Sequence, residues 1–300
     1  METLLITGAE GMIANHFATL YDGKYNIRFL SRRPVGPNVY HWDPDLGFID
    51  PVALEGVDHV LHLAGASIFG HRWTARYRNE IISSRADSIT LLASALMTQN
   101  IRLKTFVSAS ATGYYGLENS EDIKYETSKP GKGFIPKVCQ AWEEEAEFLH
   151  VENLAERVVI LRLGLVFSHY FGALPFMAMG CRYGIASVLG SGKQYVPWIH
   201  VNDLCRMFHF VIQNPFAKGV YNAVAPDLVT YRDVVSTLAY LYTGKSCALW
   251  VPSPFIRLMY GDASNLILNG NKVSSQKIQD EGFEFLHPEL EEALSSIYEL

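Results

Sequence analysis

The sequence predicts an α/β protein built on a doubly wound parallel sheet, with a smaller C-terminal subdomain. The chain opens on a short apolar run, Thr3–Thr7 (TLLIT), that passes through a glycine-punctuated turn into an apolar-periodic segment. Later runs at 57–64 (VDHVLHLA), 101–107 and 158–164 (VVILRLG) are almost continuously apolar. That is the pattern of strands covered on both faces. Helical patterns separate these runs, and strands alternating with helices imply crossover units and a parallel sheet.

Composition limits what the fold can serve. A chain of 300 residues with 49% hydrophobic and 19% charged content can bury a large core. A formal charge of -6 gives no general drive toward nucleic acid, so any anion site must be local. No apolar run approaches the roughly 18 residues that span a bilayer, and the N-terminus enters a strand without a leader-like segment. The expected location is therefore cytoplasmic, with a small molecule as partner and neither nucleic acid nor membrane. Cys139, Cys181, Cys205 and Cys247 lack CxxC spacing, which suits a reducing compartment and reads as buried small apolar residues without disulfide or metal. The sequence leaves the assembly open, a homodimer included.

The first turn is a dinucleotide pyrophosphate site by its residue types. Thr7 ends the strand, Gly8 permits a tight turn, and Gly11 lets backbone N–H groups approach phosphate. Met12 and Ile13 begin the helix, and Ala14 is small enough to let it pack on the strand. That helix should run to about residue 21, and 25–30 (YNIRFL) form the next strand, ending in Ser31, Arg32 and Arg33. An NAD-selective site places a carboxylate there to take the ribose hydroxyls. A hydroxyl and two guanidinium groups suit a 2′-phosphate instead, so the expected cofactor is NADP(H).

Residues 38–42 read as a third strand and 57–64 as a fourth, whose end at Leu63, Ala64 and Gly65 is small enough for a cofactor to lie across it. His59 and His62 sit three apart on that strand, face opposite sides and read as packing residues. Thr74 caps a helix expected to reach about residue 99. Glu80 and Ser84 share one face of it with Arg85 beside them, either flanking the adenine side of the groove or forming an ion-paired surface.

The fifth strand, 101–107, is followed by Ser108, Ala109, Ser110, Ala111, Thr112, Gly113, Tyr114, Tyr115 and Gly116. With TGAEGMI, LSRRP, LHLAGASI, HRWT followed by SSR, SASATGYYG, GSGKQYVPWIHVNDL and NAVAPDLVT, the chain resembles the atypical extended short-chain dehydrogenase/reductases known as epimerase-family proteins. These are relatives of the nucleotide-sugar epimerases, some labelled cell-division-inhibitor homologues. The resemblance spans nearly the whole chain, including a C-terminal segment peculiar to that family. It implies a Rossmann sheet and further cofactor contacts from Ser108 and the backbone at Leu165.

The resemblance also implies a tyrosine as proton donor or acceptor, a lysine one helical turn later to hold the ribose and lower the tyrosine pKa, and a serine or threonine to orient a carbonyl. Tyr125 and Lys129 have that spacing, but Pro130, Gly131 and Gly133 follow at once, so no helix carries them. The helix that should carry the pair begins near Phe134, and alignment on its acidic end puts Ile135 at the tyrosine position and Cys139 at the lysine position. The usual Ser/Thr falls on Ala111, with Ser110 and Thr112 adjacent. The candidate catalytic residues are therefore Tyr115, Tyr114, Ser110 and Thr112, with Lys137 or a nearby arginine as a substitute cation. Both tyrosines can equally be packing residues beneath the cofactor.

In the strand at 158–164, Arg162 is either a paired buried charge or a groove residue. The Met- and aromatic-rich helix after Gly172 reads as core. Ser187 and Gln194 spoil a P-loop reading of 187–194. Residues 194–200 (QYVPWIH) read as a strand leading into an Asn-capped helix. In related epimerases such a segment closes over substrate, so Tyr195, Trp198 and His200 are substrate candidates beside Lys193 and Gln194. Strand 220–225, a Thr230-capped helix and an amphipathic helix after Pro288 complete the chain. Residues 1–165 are read as an NADP-binding domain completed by elements from about 195–225, and 166–300 as a discontinuous substrate or lid subdomain. The expected activity is that of an NADP(H)-dependent oxidoreductase or nucleotide-sugar-epimerase-like enzyme on a small polar substrate. The alternative is an NADP(H)-binding regulatory protein without catalysis.

Overall fold

The computed structural model describes residues 1–69, 72–119 and 121–299; His71, which opens the HRWT block, lies outside them. The strands in chain order are β1 (Thr3–Thr7), β2 (Asn26–Ser31), β3 (Val39–Asp43), β4 (Phe48–Ile49), β5 (His59–His62), β6 (Leu103–Ala111), β7 (Ala155–Leu163), β8 (Leu165–Phe167), β9 (Ile185–Leu189), β10 (Trp198–His200), β11 (Gly219–Ala223) and β12 (Cys247–Val251). The helices are α1 (Met12–Leu20), α2 (Ala75–Thr98), α3 (Phe134–Val151), α4 (Leu174–Ala178), α5 (Val201–Gln213), α6 (Tyr231–Thr243), α7 (Ser253–Tyr260), α8 (Asn265–Leu268), α9 (Gln276–Asp280) and α10 (Leu290–Tyr298).

Eight strands form the main sheet in the order β11-β7-β6-β5-β1-β2-β3-β4. Every pair is parallel except β3 with β4. The chain moves outward from β1 through β2 and β3, then crosses back to β5 on the other side of β1. At such a reversal the strand ends of an open α/β sheet part and leave a crevice in which its ligands bind. β1 and β5 are buried at every position, which accounts for their continuous apolar character. One face of the sheet packs Phe17 of α1 with Leu204 and Phe208 of α5. The other packs Leu92 and Leu96 of α2 with Trp142 and Leu149 of α3. The expected doubly wound architecture is the one found.

Helix ends follow their side chains. The Thr74 hydroxyl accepts from the Tyr77 N–H and opens α2, and Thr230 with Asp233 forms a reciprocal capping box at α6. β6 extends past the expected end at Val107, because pairing with β7 continues to Ala111 and Leu163. The helix α5 is capped by His200, whose ring accepts from the Asn202 N–H, and not by Asn202 as expected.

The C-terminal half adds two small parallel sheets, β8 with β10 and β9 with β12. Around them Phe167, Trp198, Leu238 and Leu294 form a third apolar cluster. β4, β9 and β12 were not expected from the sequence. Only Trp198–His200 of the anticipated 194–200 strand is regular. Upstream of it the Gln194 side chain donates to the Leu189 and Ile267 carbonyls, and Tyr195 makes a lone bridge to Thr230. Cys139, Cys181 and Cys205 are buried as expected, but Cys247 is exposed on β12. Among the described residues no helix is long and apolar enough to cross a membrane.

Candidate active site

The crevice begins where β1 meets the glycine turn. Thr7 is fully buried, and its hydroxyl accepts from the Leu63 and Ala64 N–H groups, both at 2.9 Å, tying the ends of β1 and β5 together. Gly8 has φ +78°, and a Cβ there would lie 3.3 Å from the Leu63 carbonyl oxygen, so the turn needs glycine on both counts. The Gly11 N–H donates to the Gly8 carbonyl at 2.8 Å. Asn15, which sequence reasoning passed over, donates its amide to the Ala9 and Gly11 carbonyls and fixes the loop from behind. Gly11 caps α1 without any side-chain hydrogen bond, which leaves the first N–H groups at Met12 and Ile13 to an incoming anion.

At the end of β2 the Ser31 hydroxyl accepts from the Arg33 N–H at 3.0 Å. The Arg32 and Arg33 side chains are exposed and make no ion pair with any described residue. Across β1, the Ser84 hydroxyl accepts from the Ala66 N–H at 2.9 Å, and Arg85 donates to the Ala66 and Ile81 carbonyls. These two side chains hold the turn after β5. Glu80 is exposed and forms no ion pair with Arg85, so the ion pair of this helix surface is a different one, between Arg78 and Asp262.

Two of the four candidate catalytic side chains are engaged in a buried polar network. Ser110 donates to Glu143 Oε1 at 2.6 Å, and Arg162 grips both Glu143 oxygens, Nε at 2.8 Å and Nη2 at 2.7 Å. Arg162 Nη1 also donates to the Tyr115 hydroxyl at 3.0 Å, and that hydroxyl in turn donates to Asn222 Oδ1 at 2.6 Å. Asn222 continues the network to Glu126 and to the Ser274 carbonyl. Tyr115 is 3% exposed, and burial, partly offset by Arg162, pushes its hydroxyl up to about 12. This corrects the catalytic expectation for Tyr115 and Ser110: both hydroxyls are spent inside the protein. Burial alone would lower the Arg162 pKa, but the Glu143 carboxylate outweighs it and raises it, so Arg162 is the paired buried charge of the two readings. Tyr114 lies half-buried with its ring on the Arg162 guanidinium at 3.4 Å, and Thr112 opens the 3-10 turn Thr112–Tyr115.

The helix α3 presents Ile135 and Cys139 to the end of β6. A Cβ on Gly113 would come within 2.5 Å of Ile135 Cγ2 and 3.8 Å of Cys139 Sγ. The Cys139 thiol points at the Ala111 carbonyl, 3.7 Å away. Burial, reinforced by the Glu143 charge, pushes that thiol up to about 12, so it is neutral and poorly nucleophilic. The structure thus sets an isoleucine and a thiol beside Gly113, where the resemblance puts tyrosine and lysine.

The remaining expected residues divide. Ser108 lies inside β6, 1% exposed, and donates to the Ala109 carbonyl, so its side chain does not reach the crevice. Leu165 is half-buried on β8, where its N–H donates to the Pro197 carbonyl at 2.7 Å. Trp198 is fully buried, stacked on Phe167 at 5.2 Å, with its indole N–H on the Asp227 carbonyl. His200 is spent on the α5 cap and packs on His287 at 4.1 Å. Burial, with His287 and His16 adding to it, lowers the His200 pKa to about 3. Trp198 and His200 are therefore core, not substrate, residues. Tyr195 remains half-buried beneath the Lys272 ammonium at 4.7 Å.

Comparison with known proteins agrees with this fold. Residues 4–224 match the NAD dependent epimerase/dehydratase family, and residues 251–297 match a domain of unknown function, DUF1731. An epimerase family protein of Staphylococcus aureus is 34% identical over 305 residues, covering 99% of each chain. One of Mycobacterium bovis is 31% identical over 293 residues, 96% of this chain and 95% of its own. Among solved structures, the human epimerase family protein SDR39U1 with NADPH superposes with a TM-score of 0.87 at 27% identity, covering 99% of both chains.

Proposed function

Since the chain belongs to the NAD dependent epimerase/dehydratase family, we propose that it binds NADP(H) and works as an oxidoreductase or nucleotide-sugar-epimerase-like enzyme on a small polar substrate. The observation that carries this reading is the pairing of an uncapped α1 N-terminus behind Gly8 and Gly11 with the ion-pair-free Arg32 and Arg33 at the next strand end. The first suits a pyrophosphate and the second a phosphate on the adenosine ribose. The human relative solved with NADPH supports the same cofactor. When bound, NADP(H) supplies or accepts the hydride.

The chain's own residues then have limited roles. Thr7 keeps the β1 and β5 ends together under the cofactor, Ser84 and Arg85 hold the adjoining turn, and Ile135 packs against Gly113 beyond the end of β6. Of the hydroxyls proposed for proton transfer, Tyr114 and Thr112 are the two left outside the buried network. Tyr114, resting on Arg162, is our choice for the acid. A second reading, NADP(H) binding without turnover, is favoured by Ile135 and Cys139 standing where proton-relay residues are expected. Calorimetric titration with NADPH and NADH, followed by NADPH oxidation across carbonyl compounds and nucleotide sugars, separates the readings. Tighter NADPH binding with turnover that falls in Tyr114→Phe supports the enzyme. Tight binding with no turnover supports the regulator, and tighter NADH binding overturns the cofactor assignment.

A further inference from the structure

We propose that Arg85 supplies, from α2, the positive charge that a lysine at position 139 would supply from α3, and that it holds the ribose on the nicotinamide side of bound NADP(H). The inference rests on the cofactor reading above and goes beyond it by assigning one cation to one half of the ligand.

The chain buries two guanidinium groups near this crevice, and they are treated differently. Arg162 is 3% exposed and locked to a carboxylate through two hydrogen bonds. Arg85 is 7% exposed and has no carboxylate partner among the described residues. Its Nη groups donate to the Ile81 and Ala66 carbonyls, its Nε finds no partner, and its plane lies over Trp142 at 5.0 Å. No carboxylate among the described residues neutralises the charge. His62, fully buried, is lowered to about 3 by burial and by Arg85 itself, so it is neutral at physiological pH. The Cys139 thiol is neutral as well, and it is close enough to Arg85 for each to affect the other electrostatically. Buried charges are ordinarily paired, and an unpaired one favours whatever ligand oxygens can reach it.

Position decides which part of the ligand that is, and it is not the adenine side expected for this helix, because Arg85 sits at the turn after β5. Along the strand ends, Arg32 and Arg33 close β2, the anion-binding turn follows β1, and Arg85 borders the end of β5. It reaches there because residue 65 is glycine; a Cβ would come within 2.9 Å of the guanidinium carbon. On its other side Arg85 lies over the Trp142 ring of α3, three residues after Cys139, and Cys139 itself abuts Gly113 beyond the end of β6. A dinucleotide with its adenine phosphate at β2 and its pyrophosphate at β1 brings its nicotinamide ribose to β5 and β6. The cation is thus near the position the lysine would occupy, approaching from the neighbouring helix on the same face of the sheet.

The test uses the full chain and two ligands, NADPH and adenosine 2′,5′-bisphosphate, which lacks the nicotinamide ribose. Dissociation constants are measured by calorimetry for the wild type, Arg85→Met and Arg85→Met/Cys139→Lys, with circular dichroism as a fold check. Arg85→Gln, which retains amide donors without the charge, serves the same purpose should the Met variant fail to fold. Removing a charged hydrogen-bond donor is expected to weaken NADPH by roughly ten- to hundred-fold. The bisphosphate should change by no more than about three-fold, and the Cys139→Lys addition should restore most of the NADPH affinity. Equal weakening of both ligands would mean that Arg85 only holds the 64–66 turn, and unchanged NADPH affinity would mean that it does not meet the cofactor. Either result overturns this inference alone, whereas a wild type that binds neither ligand removes the cofactor reading beneath it.

Discussion

Replacing Glu143 by Gln tests whether the polar network at the end of β6 holds the crevice in shape. The change keeps the side-chain outline and an oxygen for Ser110, but it strips the charge from a group that meets Arg162 at 2.8 and 2.7 Å. Arg162 is 3% exposed, so water cannot replace the lost partner, and the Glu126 carbonyl and Tyr115 hydroxyl carry no full charge. Breaking one side of such a pair costs about 3–5 kcal/mol, a large share of the roughly 5–15 kcal/mol by which a domain is stable. The assay is equilibrium urea unfolding followed by tryptophan fluorescence. Glu143→Leu with Arg162→Met removes both charges together and should recover most of the loss, because the desolvation penalty goes with the attraction. A Glu143→Gln variant within about 1 kcal/mol of wild type, against the 3–5 kcal/mol expected, would show that Arg162 is not held by this carboxylate. The account of Tyr114, Tyr115 and Ser110 would then fail with it.

Other outcomes follow from the same geometry. Tyr115→Phe should cost about 1–3 kcal/mol of stability by leaving Asn222 and Arg162 short of a partner, while NADPH affinity stays within two-fold; a large loss of affinity in a variant of normal stability would return Tyr115 to the crevice. Arg32→Ala with Arg33→Ala should weaken NADPH by about ten- to hundred-fold and leave NADH nearly unchanged, as read by calorimetry; equal effects on both cofactors would show that the arginines do not meet a 2′-phosphate. Stability should fall as pH drops below about 6.5, because His62 and His200, each lowered to about 3, stay neutral in the fold while the unfolded chain takes up their protons. Between pH 7.5 and pH 5 each removes about 2 kcal/mol, so urea midpoints should shift and His62→Phe should flatten the slope; a flat profile would contradict the burial of both rings.

What was legible in the sequence had local causes. The glycine turn, the Thr74 and Thr230 caps and the buried strands each follow from a few neighbouring residues. The neighbourhood of Ile135 and Cys139 was also readable, because the two fall on one helix face and the structure sets both against Gly113. What was not legible depends on partners distant in sequence. Glu143 follows Trp142 in an acidic helix and shows no mark of its own, and only the packing of α3 on β7 brings it to Arg162. Trp198 looks like an aromatic pocket residue until Phe167 covers it, and His200 is a rare choice of cap that no N-cap preference would select. β9 and β12 are short strands that only pairing with each other makes visible.

The placement of charge separates the scaffold from the chemistry. One buried arginine is given a carboxylate, a tyrosine hydroxyl and a backbone carbonyl, and it ties β6, β7 and α3 into a rigid floor. The other is left with two carbonyls and an orphaned donor beside a neutral thiol. If stability alone governed both, a carboxylate near Arg85 would remove the cost of an unpaired charge. Such a carboxylate would also repel a phosphorylated ligand lying across β1 and β5. On the proposed cofactor reading the two features serve different parts of one ligand: the uncapped α1 N-terminus would face the charged pyrophosphate, and Arg85, without a carboxylate among the described residues, would offer its donors to the ribose oxygens.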